Sequence, residues 1–143
     1  MIVVDASIVI AAVVSDEPLH SHVQRKLLDW QVRNEQCIAP PLFYAEITAV
    51  CRKLVMQQRY SSLDARDILH QMLMFPVEIV SHHDIYVRAF DLANAHGLSR
   101  AYDTQYIALA QSSACDCWTA DQRLVNTVSR SLPFVRWVGE DNQ

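Results

Sequence analysis

Asp5, Glu46, Asp103 and Asp121 are the residues whose types and settings best suit chemistry, because each stands where one divalent-metal site could gather them. Asp5 closes the strand-like run Ile2-Val3-Val4, and Asp121 closes Trp118-Thr119-Ala120. Glu46 follows Tyr44-Ala45, and Asp103 follows Ser99-Arg100-Ala101-Tyr102. An acid directly after an apolar strand lies in the crevice outside the carboxyl ends of an open α/β sheet, where such sheets place their ligands. Mg2+ and Mn2+ prefer hard oxygen donors, usually a few carboxylates completed by water and phosphate oxygens. A cation so held lowers the pKa of a water, orients it for in-line attack on phosphorus and neutralises charge building on the phosphate. The chemistry these residues predict is phosphodiester hydrolysis without a protein nucleophile.

Each acid also has an ordinary reading. Asp103 belongs in the first turn of a helix, where the positive end of the dipole favours a carboxylate. Asp121 can serve as the N-cap of the helix after it. Glu46, flanked by Phe43, Tyr44, Ala45 and Ile47, is either on an outward edge or held by a partner.

The elements that must position these acids alternate along the chain. Strands are expected at Ile2 to Val4, Cys37 to Ala39, Val77 to Val80, Cys117 to Thr119 and Phe134 to Val138. Helices are expected from about Leu19 to Gln31, Leu42 to Gln58, Leu63 to Phe75, Ile85 to His96, Ser99 to Gln111 and Asp121 to Val128. Pro40-Pro41 and Pro76 punctuate the pattern, Ser61 and Ser62 can cap the fourth segment, Gly97 ends another, and Ser99 caps the next. Ser7 to Val14 stays ambiguous: its β-branched residues favour a strand, while Ala11-Ala12 after Asp5-Ala6-Ser7 also suits a short buried helix. Alternation of this kind predicts one α/β domain over residues 1–143 with a mainly parallel sheet.

Composition sets the remaining bounds. With 51% apolar and 20% charged residues, disorder is excluded as the general state of the chain. The longest uncharged apolar stretch, Ala6 to Val14, is too short to span a bilayer, so a cytoplasmic protein without a membrane role is expected. Cys37, Cys51, Cys115 and Cys117 lack C-x-x-C spacing and are expected as reduced, mostly buried thiols. The histidine pairs His20/His22 and His82/His83 lack the three- or four-residue offset that brings helical ligands together and are expected at the surface. A net charge of −4 argues at first against nucleic acid; setting aside the four proposed ligands leaves twelve acids against twelve bases, which permits it.

Asp5-Ala6-Ser7, Ala45-Glu46-Ile47 after the double proline, Gly97-Leu98 before Tyr102-Asp103, Ile107-Ala108-Leu109-Ala110, and Thr119-Ala120-Asp121 with Leu124 together resemble the PIN-domain ribonucleases. The likeness is closest to the VapC toxins of VapBC toxin–antitoxin pairs and runs in order over nearly the whole chain. It implies a three-layer α/β/α domain and a site for Mg2+, with Mn2+ able to substitute, in which Asp5, Glu46, Asp103 and Asp121 are catalytic ligands. Ser7 and Thr119 match the family's small hydroxyl positions, which would brace the carboxylates. The implied partners are an RNA substrate, a cognate VapB-like antitoxin and a second copy of the chain.

Arg100 and Arg123 each lie within three residues of a proposed ligand and are candidates for contacting substrate phosphates. Lys53, seven residues after Glu46, shares roughly its helix face. Other readings compete. A haloacid-dehalogenase-like phosphatase wants a second Asp where Ser7 stands, and a receiver-like domain wants a late Lys, whereas no Lys follows Lys53. A PIN-domain processing nuclease without an antitoxin, and a non-catalytic RNA- or partner-binding PIN scaffold, stay open.

Overall fold

The structure, a computed structural model, describes residues 1–99 and 101–140. Five short strands, β1 (Ile2–Val4), β2 (Cys37–Ala39), β3 (Val77–Ile79), β4 (Cys117–Thr119) and β5 (Val135–Trp137), form one sheet in the order β3-β2-β1-β4-β5. Every pairing is parallel, with Ile2 opposite Cys37, Val3 opposite Cys117 and Thr119 opposite Trp137. Seven helices connect the strands among the described residues: α1 (Ala6–Val13), α2 (His20–Val32), α3 (Leu42–Met56), α4 (Ser62–Leu73), α5 (His83–Ala95), α6 (Asp103–Ser113) and α7 (Gln122–Val128).

Strand alternation divides the core in two. Ile2 and Val4 join Ile8, Ala11, Val23, Trp30 and Trp118 on one side of the sheet, whereas Val3 joins Phe43, Ile47, Ile107, Leu109 and Cys117 on the other. Helices cover both faces, which gives the three-layer α/β/α architecture. A parallel sheet covered on both faces needs near-continuous apolar strands, and Ile2-Val3-Val4 and Cys37-Ile38-Ala39 are buried throughout.

The ambiguous segment after β1 is helical. Ala6 and Val9 of α1 face one core and Ile8, Ala11 and Ala12 the other, so burial on nearly every side outweighs the β propensity of its branched residues. Asp5 caps it by accepting from the Ser7 N–H. The expected cap at Ser99 is corrected: α6 begins only at Asp103, with Tyr102 in the cap position and no capping side chain. The cause lies in how α5 ends. Gly97 turns into the left-handed region at φ 64°, and the Leu98 N–H folds back to the Ala93 carbonyl at 2.9 Å, so Ser99 is still inside the connection.

The strand order reverses beside β1. From there the chain first builds β2 and β3 on one side and later β4 and β5 on the other, which makes the C-terminal ends of β1 and β4 the topological switch point. Asp5 and Asp121 follow those two strands.

Candidate functional site

Asp5 is the most constrained of the acids. Only 7% exposed, it receives the Thr119 hydroxyl at 2.6 Å and the Ser7 hydroxyl at 2.9 Å on Oδ2, and the Ser7 backbone N–H at 3.3 Å on Oδ1. Those hydroxyls also tie the two strand ends together: Ser7 Oγ accepts from the Ala120 N–H and Thr119 Oγ1 from the Asp121 N–H, both at 3.0 Å. Burial raises the Asp5 pKa above the usual carboxylate range; the hydroxyl bonds from Thr119 and Ser7 oppose this, and the charge of Asp121 adds to it.

Asp121 is the N-cap of α7, and both capping bonds go to one oxygen. Oδ1 accepts from the Arg123 N–H at 2.9 Å and the Leu124 N–H at 3.2 Å, which leaves Oδ2 for another partner. The ordinary reading as a cap and the functional one are therefore compatible. Asp103 occupies the first position of α6, and burial followed by the charges of Asp5 and Asp121 pushes its pKa up to about 6. Glu46, half-buried on α3, is held by the Tyr106 hydroxyl, which donates to Oε2. Its pKa rises to about 7 through burial, against the Tyr106 bond and with the charges of Asp5 and Asp103.

These influences connect all four acids. Asp5 feels Asp121, Glu46 feels Asp5 and Asp103, and Asp103 feels Asp5 and Asp121. Among the described residues no cation compensates Glu46 or Asp103. One strand end, one cap, one helix start and one mid-helix position thus form a single electrostatic unit.

The PIN domain family model matches residues 2–128. The chain belongs to the PIN-domain family. Ribonuclease VapC9 of Mycobacterium tuberculosis is 31% identical to it over 135 residues, covering 94% of this chain and 96% of that protein, which puts this PIN domain in the VapC branch. Among solved structures, Mycobacterium tuberculosis VapC20, described as a sarcin–ricin loop cleaving toxin, matches with a TM-score of 0.66 at 16% identity over 95% of this chain and 99% of that one. A toxin–antitoxin complex from Klebsiella pneumoniae matches with a TM-score of 0.64 at 20% identity over 99% and 100% of the two chains. These two likenesses carry the fold.

In this PIN domain the donors fit a hard divalent cation by chemistry: four oxygen acids, of which Glu46 and Asp103 meet repulsion from their neighbours and no counter-charge among the described residues. Among the described residues no three His, Cys, Asp or Glu side chains are closed into a cage. Mg2+ does not require one, since it keeps several waters and commonly takes one or two carboxylates together with substrate phosphate.

The other sequence candidates are distributed unevenly. Ser7 and Thr119 are in the centre of the site, as their bonds to Asp5 show. Arg123 is exposed beside Asp121, while Arg100 lies outside the described residues. Lys53 is exposed two turns along α3 and is not among the charges that act on Glu46. Sequence reasoning missed Tyr106, three residues after Asp103 and therefore on the same helix face, where its buried hydroxyl can reach Glu46. It also missed Thr104, whose fully buried hydroxyl meets no partner among the described residues.

Proposed function

We propose that this PIN-domain protein is a Mg2+-dependent endoribonuclease toxin, with Mn2+ able to substitute, acting in the cytoplasm and silenced by a cognate VapB-like antitoxin. The observation that supports this reading is the coupling of four carboxylates at the switch point of a VapC-branch PIN domain, with no cation among the described residues acting on Glu46 or Asp103.

Asp5, Glu46, Asp103 and Asp121 would hold the cation. When bound, it would supply Lewis acidity, a lowered water pKa and neutralisation of phosphate charge. The chain's own part is positioning. Ser7 and Thr119 together hold Oδ2 of Asp5, Tyr106 fixes one oxygen of Glu46, and the α7 cap fixes one oxygen of Asp121. Arg123, exposed beside Asp121, can pair with a substrate phosphate. The same uncompensated charge suits an antitoxin segment that presents an arginine to the carboxylates in competition with metal and RNA. Tyr86, Val87 and Phe90 stay exposed on α5 and offer apolar surface to a second copy of the chain.

Induced expression in a bacterial host tests the toxin reading. Wild type should arrest growth, and either Asp5→Asn or co-expression of the neighbouring small open reading frame should relieve it. Harmless expression of a soluble wild type that cleaves RNA in vitro would assign the protein instead to RNA processing without an antitoxin.

A further inference from the structure

A crevice of about 620 Å3 opens directly beside the carboxylates, sharing Ser7 and Asp121 with them and walled by Leu19, Ala120, Arg123 and Trp137. Its position follows from the topology, since Ser7 and Ala120–Asp121 come just after β1 and β4. A second cleft of about 640 Å3, near Trp30, Gln36 and Phe75, is different: Gln36 precedes β2 and Phe75 precedes β3, at the opposite end of the strands from Asp5 and Asp121.

Trp137 distinguishes the first crevice. It closes β5 opposite Thr119, the residue that holds Asp5, so the indole is one residue pair from the carboxylate network. Gly139 lies against its six-membered ring so tightly that a Cβ there would fall 2.4 Å from Cζ2, and this glycine therefore sets the ring's place. The indole N–H is buried and meets no acceptor among the described residues. With its N–H edge closed off, Trp137 offers the crevice apolar ring rather than a donor. Arg123 adds an exposed cation on the same wall.

Resting on the RNA-cleaving reading of the carboxylates, we infer that this crevice is a nucleobase subsite: it seats the base adjoining the scissile phosphate, with Trp137 as the stacking wall and Arg123 at the neighbouring phosphate. The apolar wall, the aromatic ring and the adjacent cation form the combination by which proteins hold unpaired bases of single-stranded RNA. Stacking tolerates every base, so the subsite positions the strand with little choice of sequence.

Binding measured apart from turnover tests this. In an Asp103→Asn background with Mg2+ present, the anisotropy of a labelled mixed-sequence single-stranded oligoribonucleotide is compared for Trp137, Trp137→Phe and Trp137→Leu, and again with a matched oligomer lacking bases. Trp137→Leu should weaken binding about tenfold and Trp137→Phe by less than about threefold. The abasic oligomer should bind the parent about tenfold more weakly than the normal one and should not distinguish Trp137→Leu from the parent. Parent-like affinity of a folded Trp137→Leu, or an equal loss for both oligomers, overturns the subsite. Should Trp137→Leu fail to fold, the parent alone decides, since equal affinity for the two oligomers also overturns it. If base-dependent binding holds while wild type cleaves no RNA, the nuclease reading fails and the subsite stands.

Discussion

At the residue scale, the carboxylates are arranged so that holding them together costs the metal-free fold stability. Glu46 shows the sign most directly. Its carboxyl has an ordinary pKa of 4.5 and a native pKa of about 7, so between those values the native state binds more protons than the unfolded chain. Stability therefore falls as pH rises from about 4.5 to about 7, and the whole cost is present above that window. Glu46→Gln removes the charge while keeping an oxygen for Tyr106 to donate to. In urea unfolding of metal-free protein above pH 7, the variant should be more stable than wild type by roughly 1–2 kcal/mol after solvent screening, with the difference closing below about pH 4.5. A variant no more stable than wild type above pH 7 contradicts the cost of burying the Glu46 charge, to which Asp5 and Asp103 add. Thr119→Val leaves the Asp5 carboxyl without its 2.6 Å donor, and the loss of a bond at a buried acid should lower stability by about 1–3 kcal/mol. Thermal melts of the metal-free pair check this.

At the element scale, the helix ends show which features local sequence carries and which it does not. Ala114 ends α6 in the left-handed region at φ 50° and is exposed, a conformation that glycine adopts without the Cβ penalty. Ala114→Gly should raise stability by about 0.5–1 kcal/mol, read as a higher urea midpoint at unchanged slope, and should leave RNA cleavage as it is. The strands that carry Asp5 and Asp121 were legible because short apolar runs with turn signals after them have few other uses, and the structure has β1, β2 and β4 at the expected bounds. The segment after β1 was not, since branched residues read alike in a strand and in a helix buried on nearly every side, and only the packing separates the two. Ser99 misled for a related reason: a serine before an apolar run is a cap only if the previous helix has released the chain, and the Leu98–Ala93 bond shows that α5 has not. The acids themselves could be found from their settings. Tyr106 as the holder of Glu46, and Trp137 as a wall beside Asp121, depend on contacts 60 residues apart in one case and on strand register in the other, which no local spacing encodes.

At the scale of the whole molecule, one open parallel sheet brings residues 116 positions apart, Asp5 and Asp121, to a single edge, where the charge of Asp121 acts on Asp5. A cation that binds only the native state then stabilises the fold by mass action. Mg2+ at ten times its dissociation constant should raise the wild-type melting temperature by about 4 °C, and Asp121→Asn should show a clearly smaller shift. Equal shifts would remove Asp121 from the cation site. The central claim, that the four acids together drive hydrolysis of RNA, is tested most directly by the cleavage rate of a labelled RNA by purified wild type and Asp103→Asn across a Mg2+ titration. The account predicts cleavage by wild type that rises with Mg2+ and stops with chelator, and a loss of at least about a hundredfold in Asp103→Asn with an unchanged circular dichroism spectrum. Undiminished, Mg2+-dependent cleavage by a folded Asp103→Asn, or wild-type cleavage indifferent to chelator, would contradict it.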